Sequence, residues 1–475
     1  MRSTLFGRLH WPARWLAAAC TTLMLAGCAS FSADGGFGPV QQAAQQHLGK
    51  DVQWARSPEQ RGALDQRVAE LLAKPLSDDD AVQVALFNNR ELQAVFSELG
   101  LAEADRVQAG RLSNPGFTFG RLTRGSEREI DRGIHLNLAR LVATPIASAL
   151  ESARFEQVQR LVAMRMLSLA EQVRRAWVMA VAADETMRYM RQVQTAADAG
   201  AELARRMAAV GNWNALRQAR EQSFAADATL NVARAQRAQD AARERLTRLL
   251  GLWGDQAAFR LPERLPELPS TVEDAPDIEQ RAMQSRLDVQ AAKFDAQAMA
   301  RNLGLNRTTR FINVLELGLV RNSSNELPTQ RGYEISVELP LFDWGEARVA
   351  RAEALYMQSV NRTAQVAIDA RSEVREAYLG YRTAYDIARH YTEVLLPLRK
   401  RISDENLLRY NGMLIGVFEL LADTRQQIAA VSASIDALRD FWLSAAEMQM
   451  ALLGKPSTGI AGGPSMTARE AAAAH

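Results

Sequence analysis

Gly332-Tyr333-Glu334-Ile335-Ser336-Val337-Glu338-Leu339-Pro340-Leu341-Phe342-Asp343-Trp344-Gly345 changes its periodicity part-way along. Up to Leu339, apolar Tyr333, Ile335, Val337 and Leu339 alternate with Glu334, Ser336 and Glu338. That two-residue period predicts a strand with one apolar face. Beyond Gly345 the period becomes helical, and no proline interrupts Leu341–Leu396 or Leu398–Lys455. Ala367, Ala370, Val374, Ala377, Tyr381, Ala384, Ala388, Tyr391 and Leu395 step by threes and fours. This is a heptad seam, in which alanines let helices approach closely. Helix of about 60 residues would reach roughly 90 Å, a length that implies a coiled coil or repeat.

The same order occurs once before. Gly133–Leu138 places Ile134, Leu136 and Leu138 against His135 and Asn137. A proline-free stretch from Ile146 to Leu261 follows, with a seam of Val162, Met166, Leu169, Val173, Ala176, Ala180, Ala183, Met187 and Met190. Partner strands are expected at Phe117–Leu122 and Phe311–Leu319, joined to the others by polar loops at Thr123–Arg132 and Arg321–Arg331. Arg90-Glu91-Leu92-Gln93-Ala94 matches Leu287-Asp288-Val289-Gln290-Ala291, and Leu249-Leu250-Gly251 matches Leu452-Leu453-Gly454. These matches keep their order at a nearly constant offset, the mark of an internal duplication. Each copy then holds a first helical stretch (about 76–110 and 275–308), one β-hairpin and one long helix. Breaks near Val210-Gly211-Asn212 and Tyr410-Asn411-Gly412 turn each long helix back as an antiparallel hairpin.

The resulting organisation is a signal at 1–27, a lead segment at 28–75, repeat 1 at 76–262, a proline-rich linker at 263–274, repeat 2 at 275–454 and a disordered tail at 455–475. Arg2, Arg8 and Arg14 precede an apolar run too short to span a bilayer, as in an export signal. The run closes in Leu25-Ala26-Gly27-Cys28, which resembles the bacterial lipobox; Cys28 is the expected acylation site. Resemblance also implies that Ala29, a non-aspartate, permits sorting to the outer membrane. Removing the signal takes three arginines and Cys20, turning the formal charge from +2 to −1. Near-neutral charge gives no support for a nucleic-acid partner. The five histidines stand far apart and the two cysteines lie in the first 28 residues, so neither a metal centre nor a disulfide scaffold is expected. No nucleophile elbow or phosphate-binding glycine loop is present, which argues against an enzyme and against a cofactor.

Four strands with one apolar face admit two readings. They form a small soluble sheet, or part of a membrane barrel, which must close because lipid tolerates no open edge. Membrane barrels begin at eight strands. Two chains would supply eight; three would supply twelve and enclose water.

Three segments resemble TolC-type outer-membrane efflux proteins across essentially the whole mature chain. They are Leu76-Ser77-Asp78-Asp79-Asp80-Ala81 with Asn88-Asn89-Arg90-Glu91-Leu92, then Ala109-Gly110-Arg111-Leu112-Ser113-Asn114-Pro115, and Leu339-Pro340-Leu341-Phe342-Asp343-Trp344-Gly345. The last resembles the family's strand-to-helix corner, with Pro340, Phe342 and Gly345 as its marks. The first copy, Leu138-Ala139-Arg140-Leu141-Val142-Ala143-Thr144-Pro145, lacks the aromatic and the glycine. The resemblance implies a mainly helical fold with a small β part: a homotrimer sharing a twelve-stranded β-barrel in outer-membrane lipid, continued by an α-helical periplasmic barrel. It implies a passive exit duct for drugs, metals or other small solutes. Its partners would be a periplasmic adaptor (membrane fusion) protein and an inner-membrane pump.

The family's gate lies just after the turn of the second helical hairpin. Glu419 and Asp423, with Arg425, are therefore the expected pore constriction, while Ala422 stands where the family's usual aspartate aligns. The first copy shows no acid beside Gly211-Asn212-Trp213-Asn214, which would leave the gate to the second hairpin. Val210, Gly211, Met413 and Leu414 are the expected adaptor contacts at the hairpin tips. The competing function is a lipid-tethered periplasmic coiled-coil adaptor or structural protein without a pore. Its usual single hairpin and β-rich modules are not seen in the sequence.

Overall fold

A computed structural model describes residues 30–456 except 273, 312 and 313. The export signal, Cys28 and most of the tail lie outside the described residues. The helices are α1 (Gly38–Leu48), α2 (Pro58–Leu72), α3 (Asp78–Asn88), α4 (Arg90–Ala109), α5 (Leu138–Ala209) and α6 (Ala215–Leu250) in the first half. The second half has α7 (Ile278–Ser285), α8 (Leu287–Thr309), α9 (Glu346–His390), α10 (Leu396–Asn411) and α11 (Val417–Leu453). Strands β1 (Gly116–Arg124) and β2 (Glu127–Asn137) precede α5, and β3 (Leu315–Ser324) and β4 (Gln330–Val337) precede α9. The fold is thus mainly helical with one small antiparallel sheet. The described residues divide into two compact units: residues 30–39, 96–162 and 290–366, and residues 40–95, 163–289 and 367–456.

The first unit contains the sheet, whose order is β1-β2-β3-β4 with every neighbour antiparallel. Its strands run further than the apolar alternation suggests. Thr123–Arg132, expected as a loop, is mostly strand, and only Gly125 and Ser126 make the turn. Arg321–Arg331 likewise shrinks to a connection between Ser324 and Gln330. Charged residues interrupt the hydrophobic pattern, but the ladder is made by backbone groups and continues through them. Asn325 ties the two hairpin ends together: its Oδ1 accepts from the Arg128 N–H at 2.7 Å, and its Nδ2 donates to the Ser126 carbonyl at 2.9 Å. In the same unit the lead segment is held on α4. Ser32 donates through its N–H and hydroxyl to buried Glu103, and Phe37 packs edge-on to Phe96 at 4.9 Å.

The second unit is helical. Along α5 and α6, Arg191 pairs with Gln236 and Gln194 with Thr229, so partner numbers rise as the others fall and the helices are antiparallel. Five members of the first seam in this unit (Met166, Val173, Ala176, Ala180 and Met187) are buried. In the second seam Ala370, Val374, Ala377 and Ala388 are buried; the small side chains let the helices approach closely. Tyr381 and Tyr385 of α9 pack on Phe441 of α11 at 5.5 and 5.8 Å. The proline-rich linker is strapped to this pair: Trp442 Nε1 donates to the Pro266 carbonyl and Tyr385 OH to that of Pro269.

The expected first helical stretches each break once, at matching places. Asn89 (φ −65, ψ 117) separates α3 from α4, and Arg286 (φ −62, ψ 122) separates α7 from α8. Side chains at these breaks satisfy carbonyls that the last turn of a helix leaves without partners. Asn88 donates to Leu250 O and Asn89 to Leu249 O at the end of α6. Ser285 donates to Leu452 O and Arg286 to Ala451 O at the end of α11. The close approach needs Gly251, which has φ +69 and whose Cβ would stand 2.9 Å from the Asn88 carbonyl. Arg286 also reaches Asp288 and Glu373, each at 2.6 Å. Burial works against its charge, but the two carboxylates hold the guanidinium protonated.

Two helix details depart from the proline reading. α5 begins at Leu138 and passes through Pro145, so strand β2 enters helix with no corner of the second copy's kind. Asn137 Oδ1 accepts from the Arg140 N–H and caps that entry. Ahead of Pro397 a π-turn, Tyr391–Leu395, takes up the missing proline N–H without ending the helix.

Candidate functional site

The candidate parts are the helix tips, the charged group behind them and the strand-to-helix corner. The first tip is closed by Gly211 (φ +78), with Asn214 capping α6 through the Arg217 N–H at 2.9 Å. Trp213 turns inward and is buried, while Val210 is exposed. The second tip places Met413 at φ +58, unusual for a side chain of its size, and leaves it 94% exposed beside exposed Leu414. Val210, Met413 and Leu414 are therefore outside the packing of either tip. Near the first tip, Arg205 and Arg206 donate to the exposed Glu202 carboxylate and lower its pKa to about 2.

Behind the tips the structure brings Arg425 to Glu221. Arg425 of α11 and Glu221 of α6 are 2.5 Å apart, with Glu221 only 2% exposed. The guanidinium also lies 4.7 Å from the centre of the Phe224 ring. Glu419, in the first turn of α11, is exposed; Asp423 is 8% exposed, and its Oδ2 has no hydrogen-bond partner among the described residues. The ion pair of Arg425 is thus made with the first hairpin and with neither of the acids expected beside it. An acid does stand at the matching place in the first copy. Glu221 follows its N-cap, Asn214, at the same spacing as Asp423 follows Gly416. The matching position is visible only when the copies are aligned on their helix starts instead of on the turn glycines. A cavity of ≈ 460 Å³ adjoins the pair, lined by Ala196, Gly200 and Leu203 of α5, Phe224 of α6, and Leu421 and Ile428 of α11.

At the corner, Leu341 N–H donates back to the Leu339 carbonyl at 2.8 Å, and Asp343 Oδ1 accepts from the Gly345 N–H at 2.8 Å. Gly345 has φ +73, and a Cβ there would lie 2.8 Å from the Arg310 carbonyl. Trp344 meets Phe311 edge-on at 6.3 Å, while Phe342 is 98% exposed. Gly345→Ala combines a left-handed backbone with a clash, so it should destabilise the folded chain by about 2 kcal/mol or more. Thermal melting of the purified variant against wild type checks this; an unchanged melting temperature refutes it.

A sequence model of the family described as "Outer membrane efflux protein" matches residues 278–402, which run from α7 into α10 and include the corner. That stretch of the chain is similar to the family's model. Solved outer-membrane proteins and channels share its fold. The outer membrane protein VceC from Vibrio cholerae is 14% identical over 84% of this chain and 99% of its own, with a TM-score of 0.65. The Campylobacter jejuni CmeC outer membrane channel is 15% identical over 85% and 89%, with a TM-score of 0.64. The Neisseria gonorrhoeae MtrE outer membrane channel is 16% identical over 80% and 90%, with a TM-score of 0.61. At these identities the likeness of the chain to the three proteins is one of fold. No curated protein matches the chain. None of its described helices is long and apolar enough to cross a membrane.

Proposed function

We propose that the chain is one protomer of an outer-membrane exit duct through which a pump expels small solutes. One observation carries this reading: a four-stranded sheet with an apolar exposed face, whose edge strands β1 and β4 have no outer partner among the described residues. Phe117, Phe119, Ile134, Leu319, Tyr333 and Ile335 are all at least half exposed, an apolar surface suited to lipid. In lipid both edges must find partners, and β4 of one copy can pair with β1 of the next. Three copies make a twelve-stranded barrel wide enough for water. The α5–α6 and α9–α11 hairpins then extend into the periplasm, with Val210, Gly211, Met413 and Leu414 offered to a periplasmic adaptor and its inner-membrane pump. Acylation of Cys28 fixes the lead segment to the same membrane.

The duct needs a closed state. Glu419 and Asp423 supply acids near the axis, and the Glu221–Arg425 pair holds the second hairpin against the first. The test is size and conductance of protein purified from membranes. A heat-labile species of about three times the 52.5 kDa chain that conducts ions in a planar bilayer supports the duct. A non-conducting monomer released by carbonate washing sinks it.

A further inference from the structure

The strand register separates charge by face. Residues directly opposite across the ladder share a face, and alternate residues of one strand do too. Phe117, Phe119 and Arg121 of β1 therefore lie with Arg128, Arg132, Ile134 and Leu136 of β2. On the same face are Leu317, Leu319 and Arg321 of β3 and Arg331, Tyr333, Ile335 and Val337 of β4. The other face carries Glu127, Glu129, Asp131, Glu316 and Glu334, with Arg124 of β1 opposite Glu127 as its one arginine among the paired residues.

The arginines stand in a definite place on the apolar face. Phe117, Ile134, Leu319 and Tyr333 form one cross-strand row; the next row toward the hairpin turns is Phe119, Arg132, Arg321 and Arg331. Arg121 and Arg128 lie nearer the turns again. Away from the turns the apolar surface continues through Ile335 and Val337 to exposed Leu339, Leu341 and Phe342. Among the paired strand residues the band thus ends in arginine on the turn side only.

That row is costly by itself. Neighbouring strands are about 4.8 Å apart, and like charges directly opposite destabilise a sheet. All five arginines are exposed, and none belongs to an ion pair among the described residues. The nearby carboxylates cannot relieve them, because the backbone directs those to the opposite face. In a closed barrel the acids of neighbouring copies face the lumen as well. An anion must come from outside the protein wall, at the rim of the apolar band.

We propose that Arg121, Arg128, Arg132, Arg321 and Arg331 bind the phosphate groups of phosphorylated lipids in the outer leaflet. The inference rests on the outer-membrane reading above. Arginine stems can lie along apolar surface while their guanidinium groups grip phosphate in bidentate fashion. Phe117, Phe119 and Tyr333, in and beside the row, offer apolar contact to the lipid body. A free phosphate would neutralise the arginines but leave that surface unused.

The test uses the full-length trimer in neutral detergent, with lipid binding read by native mass spectrometry. The probes are bisphosphorylated lipid A, the same lipid dephosphorylated, and inorganic phosphate. Wild type should bind the bisphosphorylated lipid at least about tenfold more tightly than the dephosphorylated one. The triple variant R132Q/R321Q/R331Q should lose about tenfold or more of that affinity, and the triple lysine variant should fall between. Equal binding by the glutamine variant and wild type overturns the proposal. Displacement of the lipid by millimolar inorganic phosphate overturns the lipid assignment in favour of a simple anion site. If the triple glutamine variant yields no trimer, R321Q alone and the lysine variant carry the same comparison. Conductance of the same preparation separates the two readings. A conducting wild type whose lipid binding ignores the arginines refutes this inference alone; a wild type that neither assembles nor conducts refutes the duct.

Discussion

Arg286→Met should lower the unfolding free energy by about 3 kcal/mol or more, the largest stability effect expected in the chain. Arg286 is 1% exposed, and one guanidinium serves three partners: Asp288 and Glu373, each at 2.6 Å, and the Ala451 carbonyl at 3.1 Å. Methionine fills much of the volume but leaves two partly buried carboxylates beside apolar residues and one helix-end carbonyl without its donor. The carboxylates keep some contact with solvent, so the effect belongs near the lower end of the 3–5 kcal/mol range for a broken buried pair. Adding Asp288→Asn and Glu373→Gln to the methionine variant should recover part of the loss, because the repelling charges go with the cation. Denaturant unfolding of the single and triple variants measures this. A methionine variant within about 0.5 kcal/mol of wild type would show that the cluster contributes only packing.

Glu221→Gln should raise the closed-state conductance of the proposed duct several-fold. The change keeps the side chain's shape and removes the charge that holds Arg425 at 2.5 Å. A charge-assisted hydrogen bond becomes a neutral one, at a cost of about 1–2 kcal/mol to the state in which α6 and α11 are joined. Shifting a two-state equilibrium by that amount multiplies the minor, open population by roughly five to thirty. Arg425→Met should act in the same direction, and the double variant should be no leakier than the worse single one. Planar-bilayer recordings at fixed voltage decide it: wild-type conductance in both single variants removes the pair from the gate. The same recordings on Glu419→Ala/Asp423→Ala test the acids; unchanged closed-state conductance removes them too.

The sites differ in how much the chain disclosed beforehand. Gly345 was legible because a glycine at a change of period, two residues after an aspartate, marks a turn whatever surrounds it. The tip turns were legible for the same reason at Gly211 and Gly412. Glu221 was not. It is one acid on a helix rich in charge and alanine, and nothing local separates a buried carboxylate from a solvated one. Only the approach of α11 selects it, by bringing Arg425 within reach. The breaks at Asn89 and Arg286 have no proline or glycine beside them, because their cause is the distant helix end they cap. Arg132 and Arg321 fall in the expected loops, because charge ends the apolar alternation of a strand without ending its backbone ladder.

By itself the sequence determined the order of elements, the duplication, the long helices and the reversals between them. These follow from periodicity, proline placement and glycine, which act over a few residues and are written along the chain. The tertiary structure decided which charges meet and which stand apart. Arg425 pairs with Glu221 across helices, Arg286 is buried among acids from two segments, and three arginines line up across β2, β3 and β4. Register and helix approach are set by contacts between residues up to about two hundred positions apart, and electrostatic energy depends on those distances and on burial.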